Sequence, residues 1–146
     1  MRHSREILVS MFALGLVAAC TSNAGAPGSG PSTAARPTSV NGISCSAAAG
    51  HPSGMPVVHL AQLPPQAITT LRLIAKGGPY PFSEDDTVFD NYQKLLPMES
   101  YGYYHEFTVM TPGDWNRGTR RVVTGAHGKD YYTPNHYASF DWIACG

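Results

Sequence analysis

The fold is organised around the stretch Tyr101-Gly-Tyr-Tyr-His-Glu-Phe-Thr-Val-Met110. From Tyr103 onward its residues have the β-branched and aromatic character of a strand, in which successive side chains point to opposite faces. One face then carries Tyr103, His105, Phe107 and Val109, and the other carries Tyr104, Glu106, Thr108 and Met110. Glu106 is therefore a lone carboxylate in an aromatic strand. Its neighbour His105 points the other way, and we assign it a structural role.

A dense group of arginines follows this strand. After the turn Thr111-Pro-Gly113 comes Asn116-Arg-Gly-Thr-Arg-Arg-Val-Val123, with three arginines at positions 117, 120 and 121. Cleavage of a phosphate ester needs such an arrangement, because guanidinium groups neutralise the phosphate while a carboxylate accepts a proton. Downstream, Asn135-His-Tyr137 offers a partner acid. The alternatives are a structural ion pair for Glu106, a solvated charged turn and a loop histidine without a role.

The elements around this unit predict an α+β domain. Leu63 to Gly78 has prolines at its start, apolar residues at helical spacing and two terminal glycines, which together predict a helix. Short strands are predicted at residues 57–60, 87–91, 120–124, 131–132 and 138–143. We expect one N-terminal helix packed on a small antiparallel β-sheet, with a binding groove on the other sheet face.

The first residues of this 146-residue chain are typical of an export signal. A short polar start with two arginines precedes a largely apolar run of thirteen residues, Ile7 to Ala19, which is too short to span a bilayer. It ends in Leu16-Val-Ala-Ala-Cys20, which looks like a bacterial lipoprotein processing box. We therefore interpret residues 1–19 as a lipoprotein signal peptide and Cys20 as the lipidated residue. The alternative is an ordinary signal peptide that is cleaved near Ala19.

The cysteine count agrees with export. If lipid modifies Cys20, Cys45 and Cys145 remain as an even pair for an oxidising compartment. A disulfide between them would close nearly the whole folded region, and two free thiols are the alternative. Closing a loop of about 100 residues is worth on the order of 4–5 kcal/mol in the chain-entropy model.

Composition divides the remainder into a tether and a domain. Residues 20–56 are rich in Gly, Ala, Ser, Thr and Pro, so we predict a flexible tether, with Cys45 fixed by the disulfide. Residues 57–146 are the predicted folded domain. Without residues 1–19 the chain has eight Lys/Arg and nine Asp/Glu, so its overall charge does not indicate nucleic-acid binding. Only the local arginine cluster does.

The domain resembles the small secreted guanyl-specific ribonucleases of bacteria and fungi, barnase and its relatives. The similarity extends from about Val57 to Ile143 and depends on a combination of motifs, each of them weak alone. They are Leu63-Pro-Pro, Gly77-Gly-Pro79, Phe89, Leu96-Pro97, Ser100-Tyr-Gly-Tyr-Tyr-His-Glu106, Thr111-Pro-Gly113, Arg117-Gly-Thr-Arg-Arg121 and His136-Tyr137. The resemblance implies the microbial ribonuclease fold.

The resemblance also implies a mechanism for RNA cleavage. The ribose 2′-hydroxyl attacks the adjacent phosphorus to form a 2′,3′-cyclic phosphate, which is then hydrolysed to a 3′-phosphate. Glu106 matches the general base, and His136 matches the general acid. The phosphate site is matched by Arg117, Arg121 and Tyr137, with Arg120 as a further substrate contact. No cofactor or metal is expected, and the six histidines show no metal-ligand spacing.

In this family the base is recognised by the segment written here as Phe89-Asp-Asn-Tyr-Gln93. Phe89 and Tyr92 are expected to enclose a purine, while backbone N–H groups around Asn91 and Tyr92 donate to guanine O6. The family has glutamate at the fifth position, where this chain has Gln93. An amide has one acceptor oxygen and one NH₂ donor, so it cannot accept from both guanine N1–H and N2–H. We expect a guanine-leaning purine preference with relaxed discrimination.

These features predict a monomeric endoribonuclease that acts on RNA, either secreted or tethered to the extracellular face of the membrane through Cys20. The competing hypothesis is a non-catalytic surface lipoprotein that binds nucleotides or a protein in the same groove. Gln93 favours that hypothesis, whereas the matching residues at all four catalytic positions argue against it. An active enzyme requires protection of the producing cell, either by export or by a barstar-like inhibitor protein.

Overall fold

The computed structural model describes residues 38–146. The signal peptide predicted for residues 1–19, the predicted lipidation site Cys20 and the first part of the predicted tether lie outside the described residues.

Six strands form the main sheet of the domain. In chain order they are β3 (Val57–His59), β4 (Thr87–Val88), β5 (His105–Thr108), β6 (Arg121–Thr124), β7 (Asp130–Thr133) and β8 (Asp141–Ala144). Across the sheet their order is β3-β8-β7-β6-β5-β4. The strands from β4 to β8 are antiparallel to their neighbours, as predicted. β3 instead pairs in parallel with β8, so the two ends of the domain lie side by side.

Residues 38–146 contain one α-helix, α1 (Pro65–Lys76), which lies within two residues of its predicted limits. Proline suits the first turn, because the missing N–H would have no partner there. The helix ends at Gly77, which adopts a left-handed conformation with φ of 74°. The helix buries Ala67, Thr70 and Leu71. Within residues 38–146 no helix has the length and apolar character needed to cross a bilayer.

Strand register divides the sheet into two faces. On one face Val122 lies opposite Phe107 and Tyr132. This helix-facing side packs into a core with α1 that includes Leu71, Val109, Val122, Tyr132 and Ile143. On the other face Val123 lies opposite Glu106 and Tyr131. That face belongs to a second core of Tyr104, Val123, Tyr131, Phe140 and Trp142, and we call it the cleft face. The predicted α+β fold is therefore confirmed.

Part of the predicted tether is folded. β1 (Thr38–Val40) and β2 (Ile43–Cys45) form an antiparallel hairpin. Asn41 and Gly42 form its turn with φ of 51° and 80°, the conformation for which Asn-Gly is suited. Ile43 is buried in the helix-facing core, so a flexible tether is wrong for residues 38–45. Composition averaged over the segment concealed this local turn signal.

A disulfide joins Cys45 to Cys145 across a sequence separation of 100 residues. Cys45 is the last residue of β2 and belongs to the helix-facing core. The bridge therefore fastens the N-terminal hairpin to the end of the chain on the side of the sheet away from Glu106.

Candidate active site

Glu106 lies in β5 on the cleft face and is only partly exposed. Each of its carboxylate oxygens has a partner. Tyr137 donates a hydrogen bond from its hydroxyl to Oε2, and the Arg117 guanidinium lies 3.5 Å from Oε1 through Nη2. The carboxylate is thus fixed between a phenol and a cation, as an oriented proton acceptor requires.

Arg121 lies on the same face as Glu106, on the adjacent strand. It pairs in register with Thr108 of β5 and Thr133 of β7. Only 3% of its surface is exposed. Its Nη1 donates to three backbone carbonyls, those of Arg117, Gly118 and Arg120, at 3.3, 3.0 and 2.8 Å. These bonds hold a buried cation beneath the loop that carries Arg117.

Two buried guanidinium nitrogens in the described part of the chain have no hydrogen-bond partner. They are Nη2 of Arg117 and Nε of Arg121. Arg117 Nη2 is within ion-pair distance of Glu106, but it makes no hydrogen bond to it. Buried donors without partners are uncommon. A phosphate bound in the cleft would meet the positive charge of both guanidinium groups.

The loop after β7 carries His136 and Tyr137 in a conformation that is unusual for residues other than glycine. Their φ angles are 55° and 68°. Thr133 Oγ1 accepts the Tyr137 amide at 3.0 Å, and Asn135 Oδ1 accepts the Ser139 amide at 3.0 Å. Left-handed conformations of this kind persist where surrounding bonds enforce them, and they cluster at functional sites.

His136 is exposed at the edge of the cleft. Its ring centre lies 4.9 Å from that of Tyr137, whose hydroxyl reaches Glu106. The backbone N–H of His136 donates to the Thr119 carbonyl at 2.8 Å, which ties its loop to the arginine segment. The structure therefore brings His136, Tyr137, Glu106 and the two arginines to one cleft.

The environment of Tyr137 keeps its hydroxyl protonated. Burial, and next the hydrogen bond to Glu106, raise the pKa of Tyr137 to about 12. The positive charge of Arg121 acts in the opposite direction and only partly offsets this rise. At neutral pH the phenol is consequently a hydrogen-bond donor to Glu106.

The predicted base-recognition segment lies beside this cleft. The Phe89 ring packs against Tyr137 with centres 5.0 Å apart. Asn91 is buried, and its side chain bonds within the loop, to the Leu96 carbonyl at 2.9 Å and from the Leu96 amide at 3.1 Å. It therefore shapes the loop. Tyr92 is 83% exposed and Gln93 is also exposed.

Arg120 is the predicted substrate contact that the structure places apart from the others. Strand alternation directs it to the face opposite Arg121. Burial raises the pKa of Tyr132 in the helix-facing core, and the positive charge of Arg120 partly offsets this rise, which places Arg120 near that core. His105 also lies away from Glu106, as expected, with Nδ1 3.0 Å from Asp86 Oδ1.

Two site residues escaped the sequence analysis. Thr108 Oγ1 accepts a hydrogen bond from Arg117 Nε at 2.9 Å, and Glu84 Oε2 lies 4.0 Å from the same nitrogen. Thr108 shares a strand face with Glu106, so alternation was an available signal. Glu84 lies in a distant loop, and no local pattern indicated its proximity. Among residues 38–146, no cluster of three or more His, Cys, Asp or Glu side chains is arranged to hold a metal ion.

Comparison with known proteins matches most of the chain to a family of ribonucleases. The family model for ribonuclease matches residues 46–144. Guanyl-specific ribonuclease Sa of Kitasatospora aureofaciens is 58% identical over 87 residues, which cover 59% of this chain and 91% of that protein. Guanyl-specific ribonuclease St of Saccharopolyspora erythraea is 54% identical over 91 residues, which cover 62% of this chain and 90% of that protein.

Solved structures give the same result. Ribonuclease Sa2 in complex with mononucleotides superposes with a TM-score of 0.61 and 54% identity, covering 64% of this chain and 96% of the other. Ribonuclease Sa2 with guanosine-2′-cyclophosphate has a TM-score of 0.60 and 54% identity, and the match covers 63% of this chain and 98% of the other.

Proposed function

The chain belongs to the microbial ribonuclease family, as its motifs predicted, and on that premise we propose that it is an endoribonuclease that cleaves single-stranded RNA on the 3′ side of guanine. The relatives named guanyl-specific support this substrate. The products are a 2′,3′-cyclic phosphate and then a 3′-phosphate.

The observation that carries the proposal is the pair of partnerless guanidinium nitrogens on Arg117 and Arg121 beside the Glu106 carboxylate. A scissile phosphate bound against these two guanidinium groups has the Glu106 carboxylate beside it as a proton acceptor for the 2′-hydroxyl. Negative charge that develops on the phosphate oxygens then meets cations that are already in place, and such preorganisation is commonly the largest catalytic contribution. Tyr137 orients Glu106 by donating its hydroxyl hydrogen to Oε2.

We assign the roles of base and acid to Glu106 and His136. In-line displacement places the attacking and leaving oxygens on opposite sides of phosphorus, so the base and the acid must come from separate elements. Glu106 comes from β5, and His136 comes from the loop after β7. A histidine side chain is suited to protonate the leaving 5′-oxygen, because it can both hold and release a proton near neutral pH. In the second step the two exchange roles with water as the nucleophile.

We further propose that Gln93 relaxes the preference for guanine. The buried Asn91 side chain bonds within its loop, which supports a fixed loop conformation. Backbone N–H groups of this loop would donate to guanine O6, which disfavours adenine. Gln93, however, offers a neutral amide in place of a carboxylate that accepts two guanine N–H groups. Guanine is therefore preferred by a smaller margin than a carboxylate would give.

We also propose export, with Cys20 as a lipid anchor and the enzyme acting as a monomer outside the cell. Support comes from the apolar run before Cys20 and from the disulfide, which belongs to an oxidising compartment. A barstar-like inhibitor inside the producing cell is a compatible partner.

The test uses an RNA oligonucleotide with a single guanosine and a second oligonucleotide with 2′-deoxyguanosine at that position. We expect cleavage after guanosine, a 2′,3′-cyclic phosphate among the early products and no cleavage of the deoxy substrate. Cleavage of both oligonucleotides, or of neither, would contradict the proposed function. Glu106→Gln serves as the control that retains the fold.

A further inference from the structure

Trp115 is the most exposed large apolar side chain of the described region, with 95% of its surface accessible. The only other tryptophan, Trp142, is 2% exposed and forms part of the core. Among residues 38–146 no aromatic ring packs against Trp115. An indole with this exposure presents a large flat apolar face that a ligand can cover.

The loop that carries Trp115 is held firmly at its base. The Asp114 amide donates to the Thr111 carbonyl at 3.1 Å, which closes a turn directly before the tryptophan. Gly118 follows with a φ of 60°, and a Cβ at this position would lie 2.5 Å from Thr111 Oγ1. The loop is therefore closely packed on both sides of its tip, where Trp115 projects.

The tip lies next to the phosphate site. Arg117, two residues after Trp115, contacts Glu106 and Thr108. Two residues span at most about 7 Å of chain, so the backbone of Trp115 lies within about 7 Å of the backbone of Arg117, whose side chain reaches the phosphate site.

The directions of the strands indicate on which side of the scissile phosphate Trp115 lies. β5 and β7 run in the same direction, because both are antiparallel to β6. The loops that leave their C-terminal ends, residues 109–120 and 134–140, therefore share one end of the sheet. They are joined there by the bond from the His136 amide to the Thr119 carbonyl. The base-recognition loop, residues 89–104, enters the opposite end of β5.

We propose that Trp115 stacks on the base of the first nucleotide after the scissile phosphate, the one that leaves with the 5′-oxygen. This inference rests on the proposed function, because it requires guanine at the 89–93 end of the cleft and His136 on the leaving-group side. RNA then lies along the cleft from Phe89, across the arginines, to Trp115.

Stacking on an indole explains both the residue type and its exposure. Every base presents a π-face, so the contact favours longer RNA without selecting a sequence. A flat aromatic ring also loses little conformational entropy when it is covered. The indole makes no contact with the catalytic groups, so Trp115 is a binding residue for the leaving nucleotide and leaves the proton transfers unaffected.

The test compares three substrates: GpA, the same compound with an abasic leaving residue, and guanosine 2′,3′-cyclic phosphate, which has no leaving nucleoside. In the wild type we expect the adenine base to raise kcat/KM relative to the abasic compound. Trp115→Ala should reduce that gain by about 5- to 100-fold, the range measured for loss of base–aromatic stacking, and should leave hydrolysis of the cyclic phosphate unchanged.

Trp115→Phe, which retains a stacking ring, should keep most of the gain. A full gain in Trp115→Ala, or equal losses on all three substrates, would overturn the inference while leaving the ribonuclease assignment intact. A wild type that cleaves none of the three would overturn both.

Discussion

The hydroxyl of Tyr137 donates a hydrogen bond to the carboxylate of Glu106 across a sequence separation of 31 residues. This contact joins the loop after β7 to the middle of β5, and thus connects the two segments that supply the proposed acid and base. Arg117 lies on the other carboxylate oxygen. Glu106 consequently has one orientation available to it, with its position set by two different loops.

Tyr137→Phe removes this donor and keeps the ring that packs on Phe89. Hydrogen bonds to charged groups are worth about 1.5–3 kcal/mol, so we expect kcat/KM on GpU to fall about 10- to 100-fold. Tyr132→Phe removes a hydroxyl on the helix-facing side and should leave the rate unchanged. A Tyr137→Phe enzyme as active as wild type would show that the contact does not orient the base.

Gln93→Glu should sharpen discrimination between guanine and adenine. A carboxylate accepts both guanine N–H groups, and the change from neutral to charged hydrogen bonds is worth roughly 1–2 kcal/mol. We expect the ratio of kcat/KM for GpU over ApU to rise about tenfold. Gln66→Glu adds the same charge on α1 and should not change the ratio. An unaltered ratio in Gln93→Glu would mean that residue 93 does not contact the base.

Asp130 makes the stability of the domain depend on pH. Burial raises the pKa of Asp130 to about 7. The unfolded chain releases this proton near pH 4 and the folded chain only near pH 7, so the free energy of unfolding falls as pH rises between these values. The expected loss is about 4 kcal/mol, since each pKa unit corresponds to 1.36 kcal/mol.

Asp130→Asn cannot ionise, so its stability relative to wild type should increase between pH 4 and pH 8. Urea unfolding at several pH values measures this difference. Asp141→Asn is the matched control on β8, because burial also raises the pKa of Asp141 but the side chain is less enclosed. If the difference in unfolding free energy between Asp130→Asn and wild type stays constant over this pH range, Asp130 does not have a raised pKa in the folded protein.

The disulfide between Cys45 and Cys145 should contribute a large share of the stability. Opening a loop of this length costs about 4–5 kcal/mol in the chain-entropy model. We expect the double variant Cys45→Ser/Cys145→Ser to unfold at much lower urea concentration and to retain its RNA cleavage in the cold, since the bridge lies away from the cleft. A stability loss below about 1 kcal/mol would show that the hairpin and β3 suffice to hold the chain ends.

Local periodicity explains which parts of the fold were predictable. Helix α1 and the strand bearing Glu106 follow from residue spacing and from the prolines and glycines at their ends. The parallel pairing of β3 with β8 joins segments from the two ends of the domain, so no local pattern encodes it. The hairpin turn at Asn41-Gly42 was encoded, but composition averaged over residues 20–56 obscured it.

The candidate site was predictable to the extent that motifs carry it. The sequence identified both arginines of the cleft, Arg117 and Arg121. It also grouped Arg120 with them, although strand alternation directs the Arg120 side chain to the other face of the sheet. The left-handed conformations of His136 and Tyr137 depend on hydrogen bonds to Thr133 and Thr119, and these form only when β6 and β7 are paired. Glu84 reaches Arg117 through tertiary folding alone.

The central claim is that Glu106 acts as the general base and His136 as the general acid. It is tested by changing the leaving group. GpU needs an acid to protonate its leaving oxygen. The p-nitrophenyl ester of guanosine 3′-phosphate does not, because p-nitrophenolate leaves without protonation. We expect Glu106→Gln to lose about 10²- to 10⁴-fold on both substrates, as removal of a general base should. His136→Ala should lose as much on GpU but only a few-fold on the aryl ester. Equal losses for His136→Ala on the two substrates, or an active Glu106→Gln enzyme, would contradict these roles.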